Sequence, residues 1–368
     1  MKSEVVFFTH TLEGGVGRVT MQLAEGFLNE GVSSEVWTQE NTDLSPSFAS
    51  VKIFSFNKKK ARQLFFLLLK KINEDKPRVI ISSTFYTNII AIISSLLSHR
   101  KVKVIVIEHI AVKSEFKNLG LLKKLIMRVL IFFFYRLAYS VVTVSDESGD
   151  ILSRFCLLPR KKIITIYNPV ISKDLYEKSN TPINHPFFNL GHPILLNVGR
   201  LDKQKDIGTL LEAFSIVTKE IESRLIIIGE GNGKTQLIEQ CKKLKILNQV
   251  DFAGYLKNPY PFFKKSSVFA LSSLYEGLPT VLIEALALRL PIVSTKCPSG
   301  PAEILQQGKY GILVPIKDPK SLAQGVLNLL KNKNIIHEPP EEYLDPYTQK
   351  YSVHRYLSII HNINKKND

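Results

Sequence analysis

The chain has 368 residues, 45% of them hydrophobic, and its 49 Lys and Arg against 33 Asp and Glu give a formal net charge of +16. This length exceeds what one ordinary hydrophobic core accommodates and predicts two domains, while 19 Gly and 18 Pro are too few for a fibrous or disordered chain. Three widely separated cysteines argue against a disulfide framework or a zinc-ligand pattern and indicate a reducing compartment.

The positive charge is concentrated in one stretch of the chain. Residues 58–162 contain 21 Lys and Arg against 7 Asp and Glu, a balance of +14. Two segments of this stretch, residues 65–71 and 119–136, mix Phe and Leu with Lys and Arg. Lys123, Lys124 and Arg128 interrupt the second segment, so no uncharged run is long enough to span a bilayer.

A basic surface of this kind attracts polyanions, or it is only a solvated face. No zinc-finger, RNA-recognition or helix-turn-helix signature accompanies it, so we do not expect nucleic acid as a partner. A basic helix with a side rich in Leu and Phe suits the interface of an anionic membrane. We therefore expect peripheral association with the inner face of the cytoplasmic membrane, and the solvated face remains the alternative.

The first half of the chain alternates apolar runs with segments of helical length. The predicted strands are Val5–Thr9, Ser34–Thr38, Val79–Ser83, Val102–Ile107, Val141–Val144 and Ile163–Tyr167. A loop and helix over Gly14–Asn29 is followed by predicted helices at Lys59–Asn73, Thr87–Ser98 and Lys117–Ala138. Strands that are rich in Val and Ile and apolar on both faces are typical of a parallel sheet covered by helices.

The alternation restarts after a polar segment, residues 171–192, which we interpret as a linker. The predicted strands are Ile194–Val198, Arg224–Ile228, Val250–Phe252, Val268–Leu271 and Ile292–Ser294. The predicted helices are Ile207–Val217, Lys234–Leu244, Tyr260–Lys264, Val281–Leu288 and, near the end of the chain, Tyr351–Asn362. The pattern predicts two Rossmann-like domains, residues 1–170 and 193–345, with a tail, residues 345–368, that is free to pack back on the first.

Glycines follow the first strand, at Gly14, Gly15 and Gly17. Glycines at a strand-to-helix turn allow close backbone approach to a ligand and direct helix N–H groups towards an anion. The spacing is neither the dinucleotide fingerprint nor a P-loop. The alternative is a tight turn with no ligand.

Two cations follow the strand Ile194–Val198. Gly199 and Arg200 come directly after it, and Lys205 lies five residues beyond Arg200, before the next predicted helix. A diphosphate leaving group develops negative charge that a positioned Arg and Lys stabilise. The alternative is that both are solvated loop charges.

Two glutamates, Glu276 and Glu284, flank a turn that opens the predicted helix Val281–Leu288. The turn contains Gly277 and Pro279, and its N–H groups and the helix N-terminus suit an anion. The Glu284 carboxylate suits a ribose diol, because a buried carboxylate needs hydrogen-bond donors. The alternative is an unrelated pair of acids, one of them on the surface.

Together these segments resemble the retaining glycosyltransferases of family 4. Glu276 and Glu284 match an E-x7-E motif, and residues 198–205 match a V-G-R-L segment followed by Lys. Residues 228–231 and 252–255 match I-G-x-G and F-x-G-Y strand ends. The matches extend from Gly14 to about residue 330. The resemblance implies the GT-B architecture, in which two Rossmann-like parallel-sheet domains face each other across a cleft.

The resemblance also implies roles for individual residues. Arg200 and Lys205 would bind the diphosphate, Glu284 the ribose, and Glu276 the donor sugar. Gly15 would approach the phosphates, and His109, after a strand of the acceptor-binding N-terminal domain, would lie beside the acceptor. We expect catalytic roles for Glu276, Arg200, Lys205 and His109. The remaining expected donor-binding positions are Gly199, Gly254, Tyr255, Leu256, Gly277, Leu278, Pro279 and Thr280.

The string Cys-Pro-Ser-Gly-Pro-Ala-Glu-Ile-Leu at residues 297–305 resembles the bacterial capsule, exopolysaccharide and lipopolysaccharide branch. That branch implies a UDP-linked hexose or N-acetylhexosamine donor and a glycan acceptor, expected to be lipid-linked. No Asp-x-Asp metal motif is present, so we expect chemistry without a metal or other cofactor, and the resemblance implies that the anomeric configuration is retained. A sugar epimerase or phosphorylase and a non-catalytic nucleotide-sugar-binding protein are the alternatives, and the donor sugar, acceptor and oligomeric state stay open.

Overall fold

A computed structural model describes residues 3–40, 50–58, 61–100, 102–109, 120–332 and 337–365. Contacts divide the chain into two compact units. Unit 1 comprises residues 1–169 with residues 346–368, and unit 2 comprises residues 170–345. Residues 171–192, interpreted above as a linker, belong to unit 2 and contain a short helix, α6 (Lys173–Ser179).

Unit 1 has one parallel sheet of seven strands in the order β3-β2-β1-β4-β5-β6-β7. The strands are β1 (Val5–Thr9), β2 (Ser34–Thr38), β3 (Lys52–Ser55), β4 (Val79–Ser83), β5 (Lys103–Glu108), β6 (Ser140–Thr143) and β7 (Ile163–Thr165). The described helices are α1 (Gly14–Asn29), α2 (Ala61–Asp75), α3 (Phe85–Leu97), α4 (Leu121–Leu137), α5 (Asp146–Cys156) and the terminal α14 (Gln349–Lys365).

Unit 2 repeats the plan with six parallel strands in the order β10-β9-β8-β11-β12-β13. They are β8 (Ile194–Val198), β9 (Arg224–Ile228), β10 (Val250–Gly254), β11 (Val268–Leu271), β12 (Ile292–Thr295) and β13 (Ile312–Val314). After α6, its helices are α7 (Ile207–Glu220), α8 (Lys234–Leu244), α9 (Tyr260–Lys265), α10 (Thr280–Ala287), α11 (Pro301–Ile304), α12 (Pro319–Lys331) and α13 (Glu341–Leu344).

The prediction of two parallel-sheet Rossmann-like domains is confirmed, and every predicted strand is present to within two residues at either end. Strands β3 and β13 and helices α5, α6, α11, α12 and α13 were not predicted. Helix α4 begins at Leu121, whereas the sequence predicted a start at Lys117, and residues 117–119 lie outside the described part of the chain. Strands β1 and β4, in the middle of the first sheet, are fully buried, because helices cover both faces of the sheet.

The terminal helix α14 packs on α1 within unit 1. The Gln349 side-chain amide donates to the Gln22 carbonyl at 2.7 Å, and Ser352 Oγ donates to the Tyr167 carbonyl at 2.9 Å. At Gly26 of α1, an added Cβ would lie 2.5 Å from a methyl carbon of Val353. The end of the chain is therefore part of the first unit's fold.

Candidate functional site

In unit 2, the loop that carries the two cations and the loop that carries Glu276 follow two neighbouring strands. Strand β8 ends at Val198 and leads into the loop with Gly199, Arg200 and Lys205, while β11 ends at Leu271 and leads into the loop with Glu276. The strand order of the sheet reverses between β8 and β11, because successive strands are added on opposite sides. Ligands of open parallel sheets bind at the carboxyl edge of such a reversal.

Lys205 and Glu276 form a buried ion pair between these two loops. Lys205 Nζ lies 2.6 Å from Glu276 Oε1, and the two side chains are 14% and 6% exposed. Ser273 Oγ donates a further hydrogen bond of 2.6 Å to the same carboxylate oxygen. The pairing offsets the cost of burying each charge, which would be several kcal/mol for an unpaired ion. A cation and a carboxylate are thereby fixed at one point of the sheet edge.

Arg200 is at the exposed rim of this loop, with a side chain 70% exposed. One terminal nitrogen of its guanidinium lies 3.1 Å from Asp202 Oδ2. The other carboxylate oxygen of Asp202 accepts backbone N–H groups from Gln204 at 3.0 Å and Lys205 at 3.2 Å. Asp202 therefore shapes the turn that presents both cations.

Glu284 is in α10 with its side chain almost fully buried. Tyr260 in α9 donates its hydroxyl to Glu284 Oε1 at 3.4 Å and is itself buried. Sequence reasoning missed Tyr260, because its proximity to Glu284 depends on how α9 and α10 pack. Gly277, Leu278 and Pro279 precede α10 and are buried.

The turn that precedes α10 is held in place by the segment at residues 297–305. Ser299 Oγ donates to the Gly277 carbonyl at 3.0 Å, and the Glu276 N–H donates to the Pro298 carbonyl at 3.2 Å. Gly300 has a φ of +96°, and an added Cβ would lie 2.5 Å from a ring carbon of Pro279. The string that suggested the polysaccharide branch thus supports the turn between the two glutamates.

The segment Gly254, Tyr255 and Leu256 lies at the same carboxyl edge, at the end of β10. The Gly254 carbonyl accepts the Gly229 N–H at 2.8 Å, and Tyr255 is largely exposed. Gly229 packs directly against the Arg200 loop, since an added Cβ would lie 2.0 Å from the Gly199 carbonyl oxygen. These three predicted donor-binding residues are therefore linked to the predicted diphosphate loop through Gly229.

Gly15 and His109 belong to unit 1 and lie at the carboxyl edge of its sheet. Gly15 is exposed in the first turn of α1, which follows β1. His109 follows β5 and is 9% exposed, and burial lowers the pKa of its imidazole to about 4. Among the described residues its Nε2 has no hydrogen-bond partner, and residues 110–119 lie outside that part of the chain. His109 is therefore neutral near pH 7.

The residue before His109 anchors α4. Glu108 is buried, and its Oε1 accepts hydrogen bonds from the Tyr135 hydroxyl of α4 and, at 3.2 Å, from the Asn88 amide of α3. Sequence reasoning missed this network, which joins residues 20 to 47 positions apart. It attaches α4 to the carboxyl end of β5.

Apart from this attachment, α4 exposes most of its apolar side chains. Of its 17 residues, Ile131 and Tyr135 are buried. Seven large apolar side chains are between 43% and 86% exposed: Leu121, Leu122, Leu125, Ile126, Val129, Phe133 and Leu137. Lys123 and Arg128 are also exposed. We call these seven apolar residues, with Lys123 and Arg128, the α4 outer face. An ordinary surface helix exposes mainly polar side chains, whereas this face exposes mainly apolar ones.

In the described part of the chain, no group of three or more His, Cys, Asp or Glu is placed to hold a metal ion. None of the described helices has the length and apolar character needed to cross a bilayer.

Comparison with known proteins agrees with this architecture. Residues 13–173 match the family model described as Glycosyltransferase Family 4, and residues 181–350 match Glycosyl transferases group 1. An uncharacterized glycosyltransferase of Methanocaldococcus jannaschii is 32% identical in an alignment of 294 residues that covers 71% of this chain and 71% of its own. A Campylobacter jejuni enzyme, N-acetylgalactosamine-N,N'-diacetylbacillosaminyl-diphospho-undecaprenol 4-alpha-N-acetylgalactosaminyltransferase, is 31% identical over half of this chain and 49% of its own length.

A similar solved structure is Anabaena HepE in complex with UDP and glucose. It superposes with a TM-score of 0.75 over 99% of both chains at 16% sequence identity, which is a likeness of fold. Together the two family models cover both parallel-sheet units. The chain is thus an enzyme of the glycosyltransferase family, with the GT-B architecture and a family 4 N-terminal domain.

Proposed function

We propose that this glycosyltransferase transfers a hexose or N-acetylhexosamine from a UDP-sugar to a lipid-linked glycan acceptor in bacterial surface polysaccharide synthesis. The observation that carries the proposal is the Lys205–Glu276 pair, held at 2.6 Å between the loops after β8 and β11, with Arg200 on the same turn. Two cations beside a carboxylate suit a donor that combines a diphosphate with a polar sugar. The C. jejuni relative, whose name gives a diphospho-undecaprenol acceptor, supports the choice of acceptor class.

In the proposed reaction the acceptor hydroxyl oxygen attacks the anomeric carbon while the bond from that carbon to the diphosphate oxygen breaks. Arg200 and Lys205 stabilise the negative charge that develops on the departing diphosphate. The hydroxyl proton passes to a diphosphate oxygen on the same face of the sugar, so the anomeric configuration is retained. Because the two side chains supply the positive charge, the proposal includes transfer without a divalent metal.

The carboxylates have separate proposed tasks. Glu276 hydrogen-bonds the donor sugar, and Glu284, buried behind the turn, accepts from the ribose hydroxyls. Gly254, Tyr255 and Leu256 hold the base, and the backbone from Gly277 to Thr280 faces the donor. Gly15 of unit 1 approaches the phosphates, and neutral His109 offers one hydrogen bond to the acceptor side.

Donor turnover tests this proposal directly. Purified protein is incubated with each of a set of UDP-hexoses and UDP-N-acetylhexosamines, with an undecaprenyl-diphosphate-linked saccharide as acceptor, in the presence of EDTA. We expect release of UDP with one donor and a product with the donor's anomeric configuration. An inverted product would contradict retention, dependence on added Mg²⁺ would contradict metal independence, and isomerised UDP-sugar without transfer would indicate an epimerase.

The proposed partner of the α4 outer face is an anionic membrane surface. A helix of 17 residues is about 25 Å long, so the exposed Leu, Ile, Val and Phe side chains form an apolar strip of that length. A strip of this kind on a protein surface indicates an interaction site. Lys123 and Arg128 next to the strip favour anionic headgroups over an uncharged protein surface. Bound in this way, the enzyme meets a lipid-linked acceptor at the membrane.

Sedimentation with liposomes tests this partner. We expect the protein to pellet with phosphatidylglycerol vesicles and not with phosphatidylcholine vesicles, and salt to weaken the binding. Changing Lys123, Lys124 and Arg128 to Glu should release it while the affinity for UDP stays the same. The matched control changes Lys234, Lys242 and Lys243 of α8 to Glu, which is the same change of charge in unit 2. If both triple variants bind alike, α4 is only a solvated face.

A further inference from the structure

One side chain of the unit 2 site joins both loops and has no role so far. Gln204 lies between Arg200 and Lys205 and is half-buried. Its Nε2 donates to the Tyr275 carbonyl at 2.9 Å and lies 3.4 Å from Glu276 Oε2. Its Oε1 accepts from a terminal nitrogen of Arg200 at 3.3 Å. The two ends of one amide therefore contact the two loops that hold the proposed diphosphate and sugar ligands.

The contacts determine which way the amide points. The end towards β11 meets two acceptors, a carbonyl and a carboxylate, so the NH₂ group belongs there. The end towards Arg200 meets a guanidinium, which only donates, so the amide oxygen belongs there. A carboxylate in place of the amide would repel Glu276, and an apolar side chain would satisfy neither end. An amide therefore fits the contacts at both ends of this side chain.

The backbone of Gln204 is held as firmly as its side chain. Its carbonyl accepts the Leu274 N–H at 2.8 Å, and the Ser272 hydroxyl donates to the next carbonyl, that of Lys205, at 2.8 Å. The two loops are therefore joined by the main chain even without the Gln204 amide. Losing the amide should leave the loops in place, release the Arg200 side chain, and remove the contact to Glu276 Oε2, while Glu276 Oε1 keeps Lys205 and Ser273.

We propose that Gln204 is a positioning residue: its amide holds Arg200 towards the diphosphate and Glu276 towards the donor sugar, so that both act on one donor molecule. The inference rests on the proposed function. Arg200 depends on this contact because its side chain is 70% exposed and has one further partner, Asp202, among the contacts described above. A long exposed side chain loses considerable conformational entropy when it is ordered. A hydrogen bond to the amide orders Arg200 in part before the donor binds, so less entropy is lost on binding.

Two substitutions of Gln204 test the contributions of the two ends of the amide separately. Gln204→Met keeps the length of the side chain and removes both polar ends. Gln204→Glu keeps an acceptor for Arg200 and replaces the donor that faces Tyr275 and Glu276 by a repelling oxygen. The matched control is Gln240→Met in the same unit, where another amide donates to the Gly208 carbonyl at 3.1 Å and to Glu212 Oε1 at 3.3 Å.

The measured quantities are the dissociation constants of UDP and of uridine and the kcat of sugar transfer. We expect Gln204→Met to weaken UDP about tenfold or more, since hydrogen bonds to charged groups are of that strength, and to leave uridine within about twofold. We expect Gln204→Glu to keep the affinity for UDP and to lower kcat about tenfold or more. Gln240→Met should resemble the wild type in all three quantities.

Each result decides between positioning and mere packing. Equal weakening of UDP and uridine by Gln204→Met would mean that the whole loop has moved, which overturns the inference. Wild-type behaviour of both Gln204 variants would overturn it as well, with the proposed function intact. A wild-type protein that binds no UDP and releases none from any donor would overturn the proposed function, and the inference with it.

Discussion

In unit 2, charged side chains are buried at the predicted donor site, whereas in unit 1 the apolar side chains of the α4 outer face are exposed. Glu276 and Glu284 are buried and the Lys205 side chain is 14% exposed, while Leu121 and Leu122 are 86% and 71% exposed. Both regions depart from the usual distribution of polar and apolar residues, in opposite directions. The buried charges are stable because each has partners within the unit. The apolar strip is exposed among the residues that the structure describes, and the partner proposed for it is an anionic membrane surface.

The largest expected effect concerns the cations of unit 2. Arg200→Ala and Lys205→Ala should each lower the rate of transfer by about 10²–10³, because each removes an oriented donor to the leaving group. The measurement is UDP release at saturating donor. Near-normal turnover in either folded variant would remove that residue from the proposed mechanism.

Lys205→Ala should also destabilise unit 2, since it leaves the Glu276 carboxylate buried without its cation. Breaking a buried pair in this way costs about 3–5 kcal/mol. The double variant Lys205→Met with Glu276→Gln removes both charges and should recover most of the lost stability without recovering transfer. Thermal unfolding of the single and double variants measures this difference, and equal melting temperatures would mean that the pair is not buried in solution.

The second prediction is a pH dependence of the stability of unit 1. Unlike the paired charges of unit 2, His109 is buried without a partner for Nε2 among the described residues. Its folded-state pKa of about 4 is below the unfolded value of about 6.5, so the unfolded chain binds the proton first as the pH falls. His109 therefore contributes stability above pH 6.5 that is lost between pH 6.5 and pH 4, up to about 3 kcal/mol.

Urea unfolding at pH 7 and pH 4.5 measures this loss. Trp37 is the only tryptophan of the chain and is buried in unit 1, so its fluorescence reports the unfolding of that unit. His109→Gln should reduce the dependence on pH, and the exposed His361→Gln is the control. An unchanged dependence in His109→Gln would contradict a neutral, buried imidazole.

The third prediction separates the two glutamates of unit 2. Glu284→Gln should weaken binding of UDP itself, by about tenfold, because a hydrogen bond to a charged group is lost. Glu276→Gln should leave UDP binding unchanged and lower transfer, since its proposed contact is with the sugar. Calorimetry with UDP distinguishes them, and the reverse pattern would exchange the two assignments.

The smallest effect on stability is expected on the α4 outer face. Leu122→Ser, Val129→Ser and Phe133→Ser replace exposed side chains, so each should change the free energy of unfolding by less than about 0.5 kcal/mol. Together they should still abolish binding to phosphatidylglycerol vesicles, because the side chains proposed to enter the lipid are gone. A large loss of stability in the triple variant would show that these residues are buried within the protein.

Most of the fold follows from the sequence because the central strands are short, apolar runs covered on both faces. Strand β3 was missed for the opposite reason: Lys52 and Phe54 are exposed at the sheet edge, so the segment lacks a continuous apolar run. Strand β13 has three residues and gives too little pattern to identify. Among the helices, α4 was predicted as a basic interfacial helix, and the extent of its apolar exposure became visible only in the folded unit.

The sequence by itself determined the two-domain parallel-sheet architecture and the family. It also placed Arg200, Lys205 and Glu276 in loops after strands and Glu284 in the helix that follows, since these depend on local spacing and residue type. The roles assigned to those residues stay predictions. Tertiary structure decided that Lys205 pairs with Glu276, that Tyr260 reaches Glu284 and that Gln204 joins two loops about 70 residues apart. Such contacts depend on strand order and on side-chain rotamers, which the spacing of residues along the chain does not specify.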